Sequence, residues 1–387
     1  MPRVQRPRRA TPADAVRPTR AEVNLGNLRH NLRVVRRYAG ATQVWGVLKA
    51  DGYGHGAPAV ARTLERAGVE GICVALLEEA VELRNAGIHT PILVMGGYYG
   101  NGWGELLAHD LTPVVYDESQ VDALAREVRL YGQAPIGVHL KVDTGMSRLG
   151  VRHDALTPML ECIRGLSEIQ LTGMMTHLSN ADDDDLAYSN RQCDLFDQAV
   201  AQTRNAGLDP SFVHAANSAA LMRLPRSRYE LVRPGLALFG VCPRPGLETD
   251  LRPVMRVRSV VVAMREVQPG DAAGYGSSWI AKKTSRLATI PMGYADGLPR
   301  SLSNRGRVLI RGTSAPIVGN VSMDMITIDV TDVPGAGMRD EVVVLGPQQG
   351  PLGSDAIGAD EIADHAGTIP WEILTGISRR VPRFFRE

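Results

Sequence analysis

Between about residues 22 and 240, short apolar runs alternate with amphipathic segments, and a chain that does this eight times has few architectures open to it. The runs fall at 43–49, 71–75, 91–95, 111–115, 136–141, 169–175, 211–215 and 231–236. The segments 59–67, 76–86 and 186–206 carry helical patterns that stop before Gly68, Gly87 and Gly207, as C-caps do. An open doubly wound sheet is the rival, but it calls for a GxGxxG turn after its first strand. Here that turn reads Lys-Ala-Asp-Gly-Tyr-Gly-His-Gly, with the wrong spacing. The expected fold class is therefore α/β, with an N-terminal (β/α)8 TIM-type barrel over residues 21–250. Beyond 250 the texture changes to strand-like runs such as 257–263 and 325–330, with loops at 293–300 and 334–337. A second, mainly β domain is expected over 251–387.

Charge and cysteine usage narrow the function classes. Lysine and arginine number 43 against 42 acids in 387 residues, which argues against general affinity for nucleic acid or anionic membranes and for a small-molecule partner. Residues 1–20 hold six arginines against the single Asp14 and read as a disordered basic leader, with an organelle address or nucleic-acid arm as the alternative. No run approaches the roughly 18 apolar residues of a membrane span, and no apolar signal core follows the leader, so a cytoplasmic location is expected. Cys73, Cys162, Cys193 and Cys242 form no CxxC pair, which points to neither zinc nor a disulfide framework. The acidic run at 181–185 precedes a helix, where acids complement the dipole, and no metal site is expected.

In such a barrel, chemistry collects where strands end. Lys49 ends the first strand, Lys-Val-Asp-Thr-Gly-Met-Ser-Arg-Leu-Gly (141–150) ends the fifth, Thr176 and His177 the sixth, and Asn217 and Ser218 the seventh, while Arg233 lies in the eighth. A strand-end lysine partly desolvated by its surroundings has a lowered pKa and can form an imine, although on position alone a plain solvated lysine is the commoner case. The loops after strands seven and eight are a recurrent phosphate site, here offering the Ser218 hydroxyl and amides near Gly235 and Leu236. Tyr53 adds a phenol or simply packs. Arg233, in an apolar segment, needs hydrogen-bond partners, and His177 is one candidate. A structural polar network at the barrel rim remains the alternative for both.

Taken together, Val-Leu-Lys-Ala-Asp-Gly-Tyr-Gly-His-Gly (47–56), the 141–150 motif, His-Ala-Ala-Asn-Ser (214–218), Arg-Pro-Gly-Leu-Ala-Leu-Phe-Gly (233–240), Gly-Tyr-Gly (274–276), Gly-Tyr-Ala-Asp-Gly (293–297) and Gly-Asn-Val-Ser-Met-Asp (319–324) resemble, in order, the alanine racemase family over residues 20–387. The resemblance implies pyridoxal 5'-phosphate held covalently by Lys49, with Tyr53, Ser218 and the backbone at Gly235 and Leu236 around its phosphate and His177 and Asn217 also among the cofactor-binding residues. It implies Arg233 at the pyridine nitrogen, which a guanidinium cannot protonate as an acid partner would. Racemisation needs a base on each face of the α-carbon, and Lys49 and Tyr275 fill those roles by resemblance, with His177 linking Arg233 to the tyrosine.

The resemblance also implies a homodimer with shared active sites, into which Tyr275, Tyr294 and Met323 enter from the partner, with Asp324 beside Met323 in support. Arg148 would bind cofactor and substrate carboxylate, with Lys141, carbamylated in the family, holding it in place. The implied activity is interconversion of L- and D-alanine, supplying D-alanine for cell-wall peptidoglycan. One departure stands out: Trp371 occupies the place of a family tyrosine that donates its hydroxyl toward the phosphate, and it offers only an indole N–H. That opens the alternative of a serine or broader-range racemase. A non-enzymatic carrier on the same barrel would need no second domain, and a barrel-plus-β decarboxylase would place an acid where Arg233 stands.

Overall fold

The computed structural model describes residues 15–96, 102–132, 134–244, 246–247 and 250–387. They form two compact units, one of Leu28–Gly52 with Ala57–Arg252, the other of the described residues up to Asn27, Tyr53–Gly56 and Pro253–Glu387. Strand β1 (Arg20–Asn24) belongs to the second. The first holds β2 (Gln43–Val47), β3 (Gly71–Val74), β4 (Ile92–Val94), β5 (Thr112–Val115), β6 (Ile136–Asp143), the two-residue β7 (Val151–Arg152), β8 (Ile169–Met175), β9 (Phe212–His214) and β10 (Leu231–Val232).

Eight of these run parallel in the order β10-β2-β3-β4-β5-β6-β8-β9, with β7 paired only to the end of β6. The path closes from β9 to β10 through two backbone bonds, Glu230 N–H to Val213 O (3.1 Å) and Arg233 N–H to Ala216 O (2.9 Å). This is the expected barrel. Every residue of β3 and β4 is buried, because strands enclosed by side chains within and helices outside have no wet face. The covering helices bury one stripe each, as Val121, Leu124, Ala125 and Val128 do in Glu118–Tyr131. That helix starts where the Asp117 carboxylate accepts from Ser119 N–H (2.9 Å). Gly207 ends Ala187–Asn205 at φ +82°; a Cβ there would meet nothing, so backbone conformation alone selects glycine.

The second unit holds β11 (Met255–Val260), β12 (Ala263–Val267), the hairpin of β13 (Ala272–Ala273) and β14 (Trp279–Ile280), β15 (Ser285–Ile290), β16 (Arg307–Ile310), β17 (Thr313–Val318), β18 (Ile326–Asp329), β19 (Glu341–Gly350), β20 (Gly353–Ile357) and β21 (Arg383–Arg386). Its sheet runs β12-β15-β18-β17-β16-β19-β11-β1-β21, with β20 on β19. The expected strand at 257–263 is two strands, because Val261 and Val262 turn to donate to Asp340 O and Thr289 O.

The chain's beginning differs most from expectation. The leader was expected to be disordered through residue 20 and the barrel to start at 21; residues 1–14 lie outside the described residues, but from Arg17 onward the chain is held by the β unit. β1 lies between β11 and β21, with Ala21 opposite both Val257 and Arg383. Its buried Glu22 accepts from Arg256, Arg258 and Arg386, so basic residues distant in sequence converge on one acid. Thr19, fully buried, donates to Pro291 O (2.6 Å). Arg17 embraces the buried Asp296 carboxylate (3.1 and 2.5 Å), which also caps Gly293 N–H (3.0 Å). Among the described residues, no helix is long and apolar enough to cross a membrane. Arg17→Ala should lower the unfolding free energy by about 1–3 kcal/mol in a denaturant titration, with partial recovery in Arg17→Lys, since a buried carboxylate loses its main cation. An unchanged midpoint would mean that water or Arg380, whose Nε lies 3.6 Å from the same carboxylate, replaces Arg17 at no cost.

Candidate active site

Parallel strands end on one rim of the barrel, and the rim collects the predicted polar groups of the first unit. After β2, Leu48 N–H still bonds Cys73 O of β3 (2.8 Å), and then the chain leaves through Lys49 into a left-handed turn. Ala50, Asp51, Gly52 and Tyr53 have φ of 51°, 60°, 62° and 52°. Such a run costs about 1–2 kcal/mol for each non-glycine residue and persists only where the surroundings hold it. Gly52 N–H bonds Leu48 O (2.8 Å), Asp51 Oδ1 accepts from Ala57 N–H at the next helix (2.8 Å), and Glu79 Oε1 accepts from Ala50 N–H (2.6 Å). Tyr53, buried, closes the turn.

Lys49 as a residue is exposed, yet crowding strips its amine of enough hydration to lower its pKa; the Arg148 charge lowers it further and Glu79 opposes. Lys141, buried on β6, is pushed down to about 8, by burial first and then by Arg148, Arg233 and Lys49. In the loop after β6, Asp143 Oδ1 gathers the amides of Gly145, Met146 and Ser147 (2.9, 3.0 and 3.1 Å), which fixes the turn presenting the exposed Arg148. Gln192, fully buried, ties that loop to the one after β8: its amide donates to His177 O (3.3 Å) and Thr144 Oγ1 (3.4 Å), and its oxygen accepts from Ser179 N–H (2.9 Å). His177 is pushed down to about 3, by burial and then by Arg233, Arg148, Lys141 and Lys49, so it is neutral at pH 7.

Arg233 is buried, and its hydrogen-bonding partner among the histidines is His214 rather than the His177 that strand order suggested. The guanidinium donates to His214 Nδ1, Thr176 O (2.8 Å) and Ala215 O (3.1 Å); burial brings its pKa down to about 10, still charged at neutral pH. His177 feels Arg233 as a charge. Since a guanidinium only donates, His214 Nδ1 accepts, His214 Nε2 carries the proton, and it donates to His139 Nδ1 (2.8 Å). Both rings are neutral, with His139 down to about 3 and His214 well below its usual value through burial and the Arg233 charge. Gly173 makes room for the pair, because a Cβ there would lie 2.6 Å from the His139 ring.

Asn217 caps the helix Ser218–Arg223 through Ala220 N–H (3.0 Å), and Ser218 Oγ accepts from Gly235 N–H (3.0 Å) and Ala237 N–H (3.2 Å) at the start of the 3-10 turn Leu236–Phe239. Two backbone N-termini thus meet at one hydroxyl, a cradle for an anion. The cations Lys49, Lys141, Arg148 and Arg233 share this rim, while its acids Asp143 and Glu79 are engaged by backbone amides. This donor set fits an anionic, electrophilic cofactor such as pyridoxal phosphate.

The remaining predicted residues lie in the second unit. Tyr275, between Gly274 and Gly276 at φ +74° and +69°, is 76% exposed, with its carbonyl held by Asn320 Nδ2 (2.7 Å). Tyr294 N–H bonds Ser322 O (3.0 Å) and Ala295 N–H bonds Met323 O (3.0 Å), so two motifs distant in sequence present exposed Tyr294 and Met323 together. Asp324 pairs with Arg380 (2.7 Å). Trp371, half-buried, sits in the helix Pro370–Gly376. The acidic run is tied down by Arg223, which donates to Ala181 O (2.9 Å), and by an Asp184–Arg244 pair. Among the described residues, no group of three His, Cys, Asp or Glu is placed to hold a metal.

Residues 23–243 match the family model for the alanine racemase N-terminal domain and 254–385 that for its C-terminal domain. The chain belongs to the alanine racemase family. It is 59% identical over 378 residues to the alanine racemase of Sorangium cellulosum (96% of this chain, 100% of that one) and 42% identical over 376 residues to that of Geobacter sulfurreducens (95% and 97%). Among solved structures, the alanine racemase of D-cycloserine-producing Streptomyces lavendulae superposes with a TM-score of 0.91 at 32% identity (96% and 98% covered). That of Bartonella henselae, with covalently bound pyridoxal phosphate, superposes with a TM-score of 0.86 at 30% identity (95% and 99%).

Glu79, His139, His214 and Gln192 carry no local signal as site residues, because each lies in an ordinary strand or helix pattern and the contact that ties it to the site reaches a different βα unit. For histidines whose folded pKa is depressed, the unfolded chain binds more protons between the two pKa values. Their contribution is therefore complete above about pH 6.5 and is lost as pH falls toward 3, at up to about 1.4 kcal/mol per pH unit for each group. His139→Leu should flatten that slope in denaturant titrations across pH 7 to 4 while lowering stability at pH 7, since His214 loses its acceptor. An unchanged slope would mean His139 is not held neutral.

Proposed function

We propose that this chain interconverts L-alanine and D-alanine with pyridoxal phosphate, acting in the cytoplasm as a head-to-tail homodimer and supplying D-alanine for cell-wall peptidoglycan. The observation that carries the reading is the barrel rim, where a crowded lysine of lowered pKa shares a site with an anion cradle and a buried guanidinium, within a family of that activity. The bound cofactor supplies electron withdrawal that acidifies the α-hydrogen of an amino acid joined to it.

Ser218, whose oxygen accepts from Gly235 N–H and whose own hydrogen is left to donate, and the backbone at Gly235 and Leu236 would hold the phosphate, with Asn217 fixing the helix start and Tyr53 adding its hydroxyl. Arg233 would be the partner of the pyridine nitrogen, a donor too weakly acidic to protonate it, so that the ring would be a weaker electron sink and side reactions would be disfavoured. Arg148 binds the substrate carboxylate. Lys49, its pKa lowered by crowding and by Arg148, moves the α-proton of D-alanine on one face, while the Tyr275 hydroxyl of the second subunit serves L-alanine on the other. Neutral His177 links that hydroxyl electrostatically to Arg233. Tyr294 and Met323 arrive with Tyr275, supported by Asp324. Lys141, with a pKa near 8, has enough neutral amine to add CO2, releasing a proton and leaving a carbamate that would hold Arg148. Trp371 supports a second reading, a serine or broader amino-acid range, since its indole stands where the family has a tyrosine hydroxyl.

Incubation of the purified protein with L-alanine, followed by chiral chromatography, should yield D-alanine; none formed by cofactor-loaded protein would sink the reading. Lys49→Ala should lower kcat by about 10³-fold or more. Tyr275→Phe should suppress α-hydrogen exchange from L-alanine far more than from D-alanine, and equal losses would refute the two-base assignment. Mixed Lys49→Ala and Tyr275→Phe proteins should regain activity once subunits exchange, because random pairing yields one site with both bases intact.

A further inference from the structure

Glu79 divides its two oxygens between different parts of the barrel. Oε2 accepts from Ala75 N–H (2.9 Å) and Leu76 N–H (3.1 Å), closing the start of the helix Leu77–Asn85, whose N-cap Leu76 has no polar side chain to do so. Capping needs nothing more. Oε1 reaches back to Ala50 N–H (2.6 Å), the first amide after Lys49 and the opening residue of the left-handed run. Of the charged and titratable groups facing the Lys49 amine, Arg148, Lys141 and His177 come from the loops and strands beyond β5, and Glu79 is the acid.

We propose that Glu79 is a positioning residue for Lys49: its carboxylate ties the strained turn that aims the lysine to the next βα unit and sets a negative charge against the amine. The proposal rests on the reading of Lys49 as a base. The two contributions separate chemically. Glu79→Gln keeps the length but removes the charge and weakens acceptance from the Ala50 amide. Glu79→Asp keeps the charge but falls one methylene short of Ala50.

The test uses full-length holoenzyme. Hydrogen–deuterium exchange of the peptide containing Ala50 reads the tether, and kcat against pH, in both directions, reads the charge; kcat/KM cannot, because two enantiomers interconvert with an equilibrium constant of one and their kcat/KM values are equal at every pH. In Glu79→Gln the Ala50 amide should exchange at least about tenfold faster. The acid limb with D-alanine, where Lys49 is the base, should move roughly 0.5 to 1 unit to lower pH, because loss of a nearby negative charge lowers the amine's pKa; the limb with L-alanine should stay. Glu79→Asp should exchange fast at Ala50 yet keep the parental limb, and it carries the test should Glu79→Gln fail to fold. A purely structural role would lower rates at every pH and in both directions without moving a limb. A D-alanine limb that does not move in Glu79→Gln, limbs that move together, or unchanged exchange at Ala50 in both variants would overturn the proposal. Exchange at Ala50 is independent of Lys49 chemistry, whereas wild-type-like α-hydrogen exchange from D-alanine in Lys49→Ala would defeat the base assignment instead.

Discussion

The burial of Arg233 organises the rim. Its backbone N–H makes one of the two bonds that close β9 to β10, and its guanidinium is satisfied by carbonyls at the ends of β8 and β9 and by His214. A permanent charge out of water is tolerable only when its donors are met, so three adjacent strands must end in register for this residue to exist where it does. The same charge then acts outward: it depresses Lys141 and His177 and fixes His214 and His139 as neutral rings of defined tautomer. Closure of the fold and the electrostatics of the site are one constraint.

A second constraint is strain. The turn after Lys49 is left-handed through four residues, of which only one is glycine, and bonds from Leu48, Asp51 and Glu79 hold it. Backbone held in an unfavourable region by several independent contacts is stiff, which suits a lysine that must keep one direction. The loops of Arg148 and His177 are likewise pinned, by Asp143 and by Gln192, so the rim is assembled from separate local clamps rather than one network.

Much was legible beforehand. Apolar runs located all eight barrel strands, since enclosure on both faces leaves a continuous signature, and glycines marked helix ends, since a left-handed C-cap is a local property. The motifs at strand ends named Lys49, Lys141, Arg148, His177, Ser218 and Arg233, which the barrel brings to one rim. The start of the chain was not legible: an arginine-rich stretch has the composition of a tail, and nothing local announces that Arg17 meets Asp296 or that Glu22 gathers three arginines more than 230 residues away.

The sequence by itself determined the strands, the order of the motifs and the residue types at each strand end, because periodicity and turn chemistry act over a few residues. Tertiary structure alone decided that Arg233 donates to His214, that β1 joins the β unit, and that Glu79 holds the amide beside Lys49. Such pairings depend on barrel closure and strand register, which bring together groups tens to hundreds of residues apart, and no local pattern encodes that distance.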